Sequence, residues 1–173
     1  MKLCIADAEN PPRKVLEEYL EKYFRGRRYC NLYLLSTSID EGFIKELILR
    51  SNIMYGEIRF VLNSRSLVRR KKKGERKRSR SSAMIALSDL KDKVGSRRVK
   101  VKKHPGAFST LILGLIRRRP KFAIITSYPL LLKYWSRPIL SVYLIHTEDE
   151  SELEMLLDLF NRVYISAEPA RTK

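Results

Sequence analysis

Few residues in this chain of 173 could do chemistry: two histidines, two cysteines and 19 carboxylates. His104 lies in "KKHPGAF", after a run of lysines and before a glycine, and is the weak catalytic candidate. His-Pro-Gly is also an ordinary turn sequence. His146 closes the apolar run "ILSVYLIH", a position that suits packing more than catalysis. Cys4 and Cys30 could pair once at most, and no CxxC or Cys/His cluster has the spacing of a zinc site. Reduced thiols in a cytoplasmic protein are therefore expected.

Metal-dependent nucleases bring several carboxylates onto one cation. The basic middle of the chain offers only Glu75, Asp89 and Asp92. Asp40, Glu41, Glu57 and the acids between Glu148 and Glu152 fall at expected helix starts or strand edges, where capping accounts for them. The sequence has no Gly-rich phosphate loop with its lysine, no GxGxxG and no GxSxG, so nucleotide hydrolysis, dinucleotide binding and serine esterase chemistry lack support. Neither a metal nor a cofactor is expected.

Charge is the strongest signal. The net charge is +17, and Arg65 to Lys121 holds 21 of the 36 Lys and Arg residues but only three of the 19 acids. The rest of the chain is close to neutral. A field so concentrated calls for a polyanion, and nucleic acid, DNA or RNA, is the partner expected. Candidate phosphate contacts are Arg69, Arg70, Lys71, Lys72, Lys73, Arg76, Lys77, Arg78 and Arg80 in "RRKKKGERKRSR". That run has no apolar periodicity, so residues 65–82 are expected to form a mobile basic loop. In "RRVKVKK" valines alternate with Arg98, Lys100 and Lys102, next to Lys103, which predicts a strand presenting a fixed line of charge. Arg117, Arg118, Arg119 and Lys121 would extend that edge. The segment 128–137 interleaves Tyr128, Tyr134 and Trp135 with Lys133 and Arg137, a mixture suited to stacking or to docking a protein partner.

These residues need a scaffold. "PPRKVLEEYLEKYF" predicts a first helix with Pro12 near its start. "NLYLLST" and "EIRFVL" predict strands, and between them Ser38 with Glu41 has the spacing of a capping box. "SAMIALSDLKDKV" predicts a helix stopped by Gly95. "FAIITS" and "ILSVYLIH" predict strands, then Thr147 with Glu150 opens a last helix. Ala107 to Ile116 is apolar throughout and fits strand or helix. The expected fold class is α/β, one domain over 1–173 with a single mixed sheet of about five strands flanked by helices. No apolar run is long enough to span a membrane, and "MKLCIADAENPP" meets Asp7 and Glu9 too early for a signal peptide. The absence of Gln beside abundant Lys, Arg and Glu fits a thermophilic source.

The order of the pieces resembles the single-domain phospholipase D-like superfamily, which includes compact nucleases. "LYLLSTSIDEGFIKELILRSNIMYGEIRFVLNSRS" is similar to that family's opening strand, helix and strand. "SRRVKVKKHPGAFSTLILG", "KFAIITSYPLL" and "ILSVYLIHTEDESELEMLLDLFNRVYISAEP" follow the order of its catalytic hairpin, its Gly-Ser strand and its acidic-motif strand with terminal helix. The resemblance implies a histidine that attacks phosphorus and a lysine that binds the phosphate, in a His-x-Lys motif, with two copies meeting across a dimer axis. Phe108, Ser109 and Thr110 stand where that motif belongs. Ser127 matches the serine of the Gly-Ser pair, Thr126 replaces its glycine, and the later Asn-x-Glu falls at Ile139 to Ser141 without matching. A nucleophile shifted to His104 would leave Gly106 in place of the lysine.

The reading is a non-catalytic nucleic-acid-binding protein that grips phosphates through a basic strand and loop. Its rivals are a metal-independent homodimeric nuclease using His104 and a basic scaffold subunit of a larger nucleoprotein complex.

Overall fold

The structure is a computed structural model that describes residues 1–6, 11–49, 53–65, 67, 82–136 and 142–170. Along the chain run β1 (Lys2–Ala6), α1 (Pro12–Phe24), β2 (Cys30–Ser36) and α2 (Glu41–Phe43), which continues as a π-helical stretch over Ile44–Leu49. Then come β3 (Tyr55–Asn63), α3 (Ser82–Val94), β4 (Val99–His104), β5 (Thr110–Ile116) and β6 (Arg119–Thr126). The chain closes with α4 (Leu132–Ser136), β7 (Val142–Thr147), α5 (Glu150–Ser166) and β8 (Glu168–Pro169).

One mixed sheet carries all the strands, in the order β1-β7-β6-β5-β2-β3-β4-β8. Only β2 with β3 and β3 with β4 pair in parallel, each through a helical crossover. The sheet has eight strands and not about five. The two edge strands escape composition because β1 is five residues long and β8 only two. Of the ambiguous Ala107 to Ile116 segment, Thr110–Ile116 is strand and is covered on both faces, which is why it shows no alternation.

Alternation sorts the side chains between two cores. Leu32, Leu34, Ile58, Phe60, Val99, Val101, Ile112 and Phe122 point toward α1 to α4, while Tyr33, Val61, Leu111, Leu113 and Ala123 pack under Leu153, Leu156 and Phe160 of α5. Gly114 belongs to this packing. A methyl there would sit 2.0 Å from Cε1 of Phe122, whose ring stacks on Tyr19 at 4.9 Å.

The helix starts depart from expectation by one or two residues. Asp40, not Ser38, caps α2 by accepting from the Phe43 amide at 2.7 Å, and the same carboxylate accepts from Leu132 at the start of α4. Asp149, not Thr147, caps α5 through the Glu152 amide at 3.1 Å, with Thr147 accepting from the Asp149 amide. In both cases an aspartate two residues on takes the capping role, so each helix starts later than the hydroxyl spacing implies. Pro12 in the first turn of α1 and Gly95 (φ +105) after α3 are as expected.

Candidate nucleic-acid interface

The strand register divides the polar residues between two ends of the sheet. At one end Cys30 pairs with Tyr55 and Ile116, which brings the Tyr29 turn, Gly56, Arg97 and the β5–β6 hairpin tip together. At the other Ser36 pairs with Leu62, Asn63 with His104, and Thr110 with Thr126. The length of β2 puts about 20 Å between them.

The first end holds a cavity of about 520 Å³ on the α5 face. Arg59, Arg97, Lys100, Arg117 and Arg118 line it, with Glu57 as its one carboxylate. Glu57 accepts from Lys100 at 2.5 Å and from Arg59 at 2.8 Å. Burial alone would raise its pKa, but the hydrogen bonds from Lys100 and Arg59 outweigh it and hold the carboxyl below its ordinary value. Arg59 is fixed further by lying 4.6 Å from the Tyr33 ring centre and 5.0 Å from that of Tyr164. Among the described residues, Arg97, Arg117 and Arg118 face no carboxylate partner.

The backbone of this cavity is strained. Tyr29 (φ 63), Arg117 (φ 50) and Arg118 (φ 71) are the non-glycine residues of positive φ among the described residues, and all three line it. Ile116 pairs with Arg119, so Arg117 and Arg118 form a two-residue hairpin turn with both φ values positive, a geometry that favours Asn-Gly. Each such residue costs about 1 kcal/mol over a glycine. The Arg117 amide donates to the Tyr29 carbonyl at 3.3 Å, tying the two turns together.

The predicted basic line on β4 is only partly available. Val99 and Val101 are buried and Lys100 exposed, as the alternation requires. Yet Lys102 donates to the Tyr164 carbonyl at 2.7 Å and lies 4.3 Å from that ring, because α5 covers this face. Lys103 pairs with Glu168 of β8 at 3.0 Å, and Arg98 precedes the strand and donates to the Tyr55 carbonyl at 3.4 Å. Lys100 alone of the four reaches the cavity, through its contact with Glu57. Arg119 is exposed on β6, and Lys121 falls at the register shift opposite Gly114 and Leu115. Arg69, Arg70, Lys71, Lys72, Lys73, Arg76, Lys77, Arg78 and Arg80 lie outside the described residues, as do Arg137 and the Ile139 to Ser141 segment.

The second end holds a network of neutral polar groups. The Ser36 hydroxyl donates to the Ser38 carbonyl at 3.1 Å, so the Thr110 hydroxyl 2.9 Å away donates to Ser36, which also accepts from the Leu130 amide. Asn63 donates to the Pro105 and Ala107 carbonyls. Phe108 is 71% exposed, Ser127 is exposed beyond buried Thr126, and Nδ1 of His104 accepts from the Gly106 amide at 3.0 Å. His104 and Ser127 thus share a sheet end, but the residues standing in the His-x-Lys positions are an exposed phenyl ring and a buried, engaged hydroxyl. Among the described residues no three His, Cys, Asp or Glu side chains converge as metal ligands.

The aromatic segment 128–137 divides between core and surface. Trp135 is fully buried against Phe43 with its indole N–H donating to the Pro129 carbonyl, and Leu130 is fully buried too. Tyr128 and Tyr134 stack on each other at 5.4 Å. Leu130 and Trp135 belong to the core, while Lys133 is exposed and the other described residues of 128–136 are half-buried. His146 is held by the Tyr19 hydroxyl at Nδ1, and burial lowers its pKa, which fits its structural reading. Cys30 is a buried free thiol.

Sequence reasoning missed Tyr29, Arg59 and Arg97. Arg97 stands just before the basic strand in "SRRVKVKK", whereas Arg59 in "EIRFVL" and Tyr29 carry no local signal.

No family model matches the sequence, and no curated protein matches it. Solved structures do. Nuc from Salmonella typhimurium, a phospholipase D family member, superposes with a TM-score of 0.61 at 8% identity over 98% of each chain. NucT from Helicobacter pylori gives 0.61 at 12% identity, again over 98% of each. TrmBL2, an archaeal chromatin protein with a novel mode of DNA binding, gives 0.57 at 11% identity over 98% of this chain and 55% of its own. The chain has a phospholipase D-like fold.

Proposed function

We propose that this chain is a nucleic-acid-binding protein that grips the phosphate backbone without cutting it. The observation that carries the reading is the cavity in which Arg59, Arg97, Lys100, Arg117 and Arg118 surround a single carboxylate. Cations held at fixed positions on a sheet end suit a string of phosphates, which sets affinity without reading bases. The basic run from Arg69 to Arg80 adds charge in the same third of the sequence. TrmBL2, a chromatin protein on the same fold, lends support.

The non-catalytic part rests on the far end of the sheet. Phe108 has no group that can attack phosphorus, and the Thr110 hydroxyl is spent on Ser36. No helix of the described residues is long and apolar enough to cross a membrane, and a nucleic-acid-associated place in the cytoplasm is part of the proposal.

The test is incubation of the protein with labelled single- and double-stranded DNA and RNA across a salt series, with Mg²⁺ or with EDTA. The expected result is a shift that weakens steeply with salt while the nucleic acid stays intact. Cleavage in EDTA that disappears in His104→Ala would overturn the non-catalytic reading. Absence of any shift at low salt would overturn the binding reading itself.

A further inference from the structure

The basic cavity has a feature that phosphate binding alone leaves unexplained. A row of phosphates needs cations, which a flat surface supplies. Here the chain instead folds three non-glycine residues into the left-handed region around a concave site, and one of them is an aromatic whose side chain is largely outside. Tyr29 is 64% exposed, and its backbone is held by the Arg117 amide. Strain concentrated at one site points to a function there.

The floor is shaped to match. Gly56 lies so close to its neighbours that a Cβ would come 2.9 Å from Oδ1 of Asn31 and 3.3 Å from Cα of Tyr29. A side chain there would have to move the Asn31 carboxamide and crowd the Tyr29 turn. The volume, about 520 Å³, falls in the range of small-ligand sites. The lining includes Tyr29, whose exposed ring is free to turn over the site, with the Asn31 carboxamide and three arginines that face no carboxylate among the described residues. An aromatic face stacks a base that has left its own stack, and the fork of an arginine takes phosphate oxygens in pairs.

We infer that this cavity holds one nucleoside phosphate unit, its base on the Tyr29 ring and its phosphate on Arg97, Arg117 and Arg118. The inference rests on the nucleic-acid reading above and sharpens it: the preferred partner is single-stranded, because a duplex keeps its bases stacked and offers Tyr29 nothing. The unit can come from a strand or from a free nucleotide, and the shared chemistry is the same.

The experiment compares a short labelled single strand with its blunt duplex by fluorescence anisotropy, for the wild type, Tyr29→Asn and Tyr29→Phe. Asn tolerates the left-handed backbone, so Tyr29→Asn removes the ring and keeps the turn. The expected result is that Tyr29→Asn binds the single strand about tenfold more weakly, binds the duplex unchanged, and keeps its melting temperature, while Tyr29→Phe behaves as wild type. Competition by a nucleoside monophosphate that displaces the single strand from wild type would assign the site to a free nucleotide. Displacement by unlabelled oligonucleotide only would assign it to a strand, and either outcome supports the site. Equal single-strand affinity in wild type and Tyr29→Asn overturns it while leaving the binding function standing. Failure of wild type to bind either form overturns both.

Discussion

The two ends of the sheet differ in what they have kept. At the Thr110 end the Thr110 and Ser36 hydroxyls bond each other and Asn63 bonds backbone carbonyls. At the Tyr29 end the polar groups are cations, held on strained turns and open to solvent. Buried groups that pair internally stabilise a fold, whereas fixed exposed charges with few partners destabilise it unless a ligand arrives. The proposed phosphate contacts therefore sit on cations that face no internal carboxylate, at the opposite end of β2 from the groups that satisfy one another.

The sharpest way to break that contrast is to neutralise the Tyr29 end. Replacing Arg97, Arg117 and Arg118 together by Ser should weaken nucleic-acid binding about a hundredfold if each charged contact contributes about 1 kcal/mol. The slope of log affinity against log salt should fall by about two to three units, since each lost phosphate contact removes 0.7 to 0.9. Anisotropy titrations at several salt concentrations read both. A slope that does not change would place the phosphates elsewhere, with the Arg69 to Arg80 run as the next suspect. The folded state should be no less stable, because serine relieves crowding of like charge at the hairpin tip.

The Thr110 end should answer in the opposite sense. Thr110→Val keeps the shape and removes the donor to Ser36, which leaves one lone pair of a fully buried hydroxyl without its bond. Thermal or urea unfolding should show a loss of about 1 kcal/mol, the usual value for one buried neutral hydrogen bond. Nucleic-acid affinity should not move. A large drop in binding would bring the Thr110 end back into the interface.

What could be seen in the sequence follows the same divide. Strands with one-sided alternation, such as Val99, Lys100, Val101, Lys102, were legible, because a period of two reports a half-buried strand. Thr110 to Ile116 was not, because α1 on one face and α5 on the other erase the period. The alternation of β4 follows from the pleat, with Val99 and Val101 buried and Lys100 exposed. The partners of its lysines were not legible, since Glu57, Tyr164 and Glu168 meet Lys100, Lys102 and Lys103 only through pairings distant in sequence. Tyr29 was invisible for a different reason: no local pattern announces a tyrosine in a left-handed turn, and only the hairpin across from it gives the turn a purpose.

Glu57 offers the smallest and most discriminating effect. It is the one carboxylate in a ring of cations, and it ties up Lys100, so it imitates a phosphate from within the protein. Glu57→Gln keeps the shape, removes the competing charge and frees Lys100 for the ligand. Arg59 stays in place, because Tyr33 and Tyr164 hold it from both sides. Binding should tighten by up to about fivefold, the worth of one exposed ion pair. The pH dependence gives a second reading. The folded pKa of Glu57 lies below the ordinary carboxylate value, so its contribution to stability is present above that value and fades as pH falls through the lowered one. Over that same acid range wild type should tighten its grip on nucleic acid as the carboxylate takes up a proton, whereas Glu57→Gln should show no such step. If both proteins respond to acid alike, Glu57 is not the group that competes with the ligand, and Lys100 belongs to the fold and not to the interface.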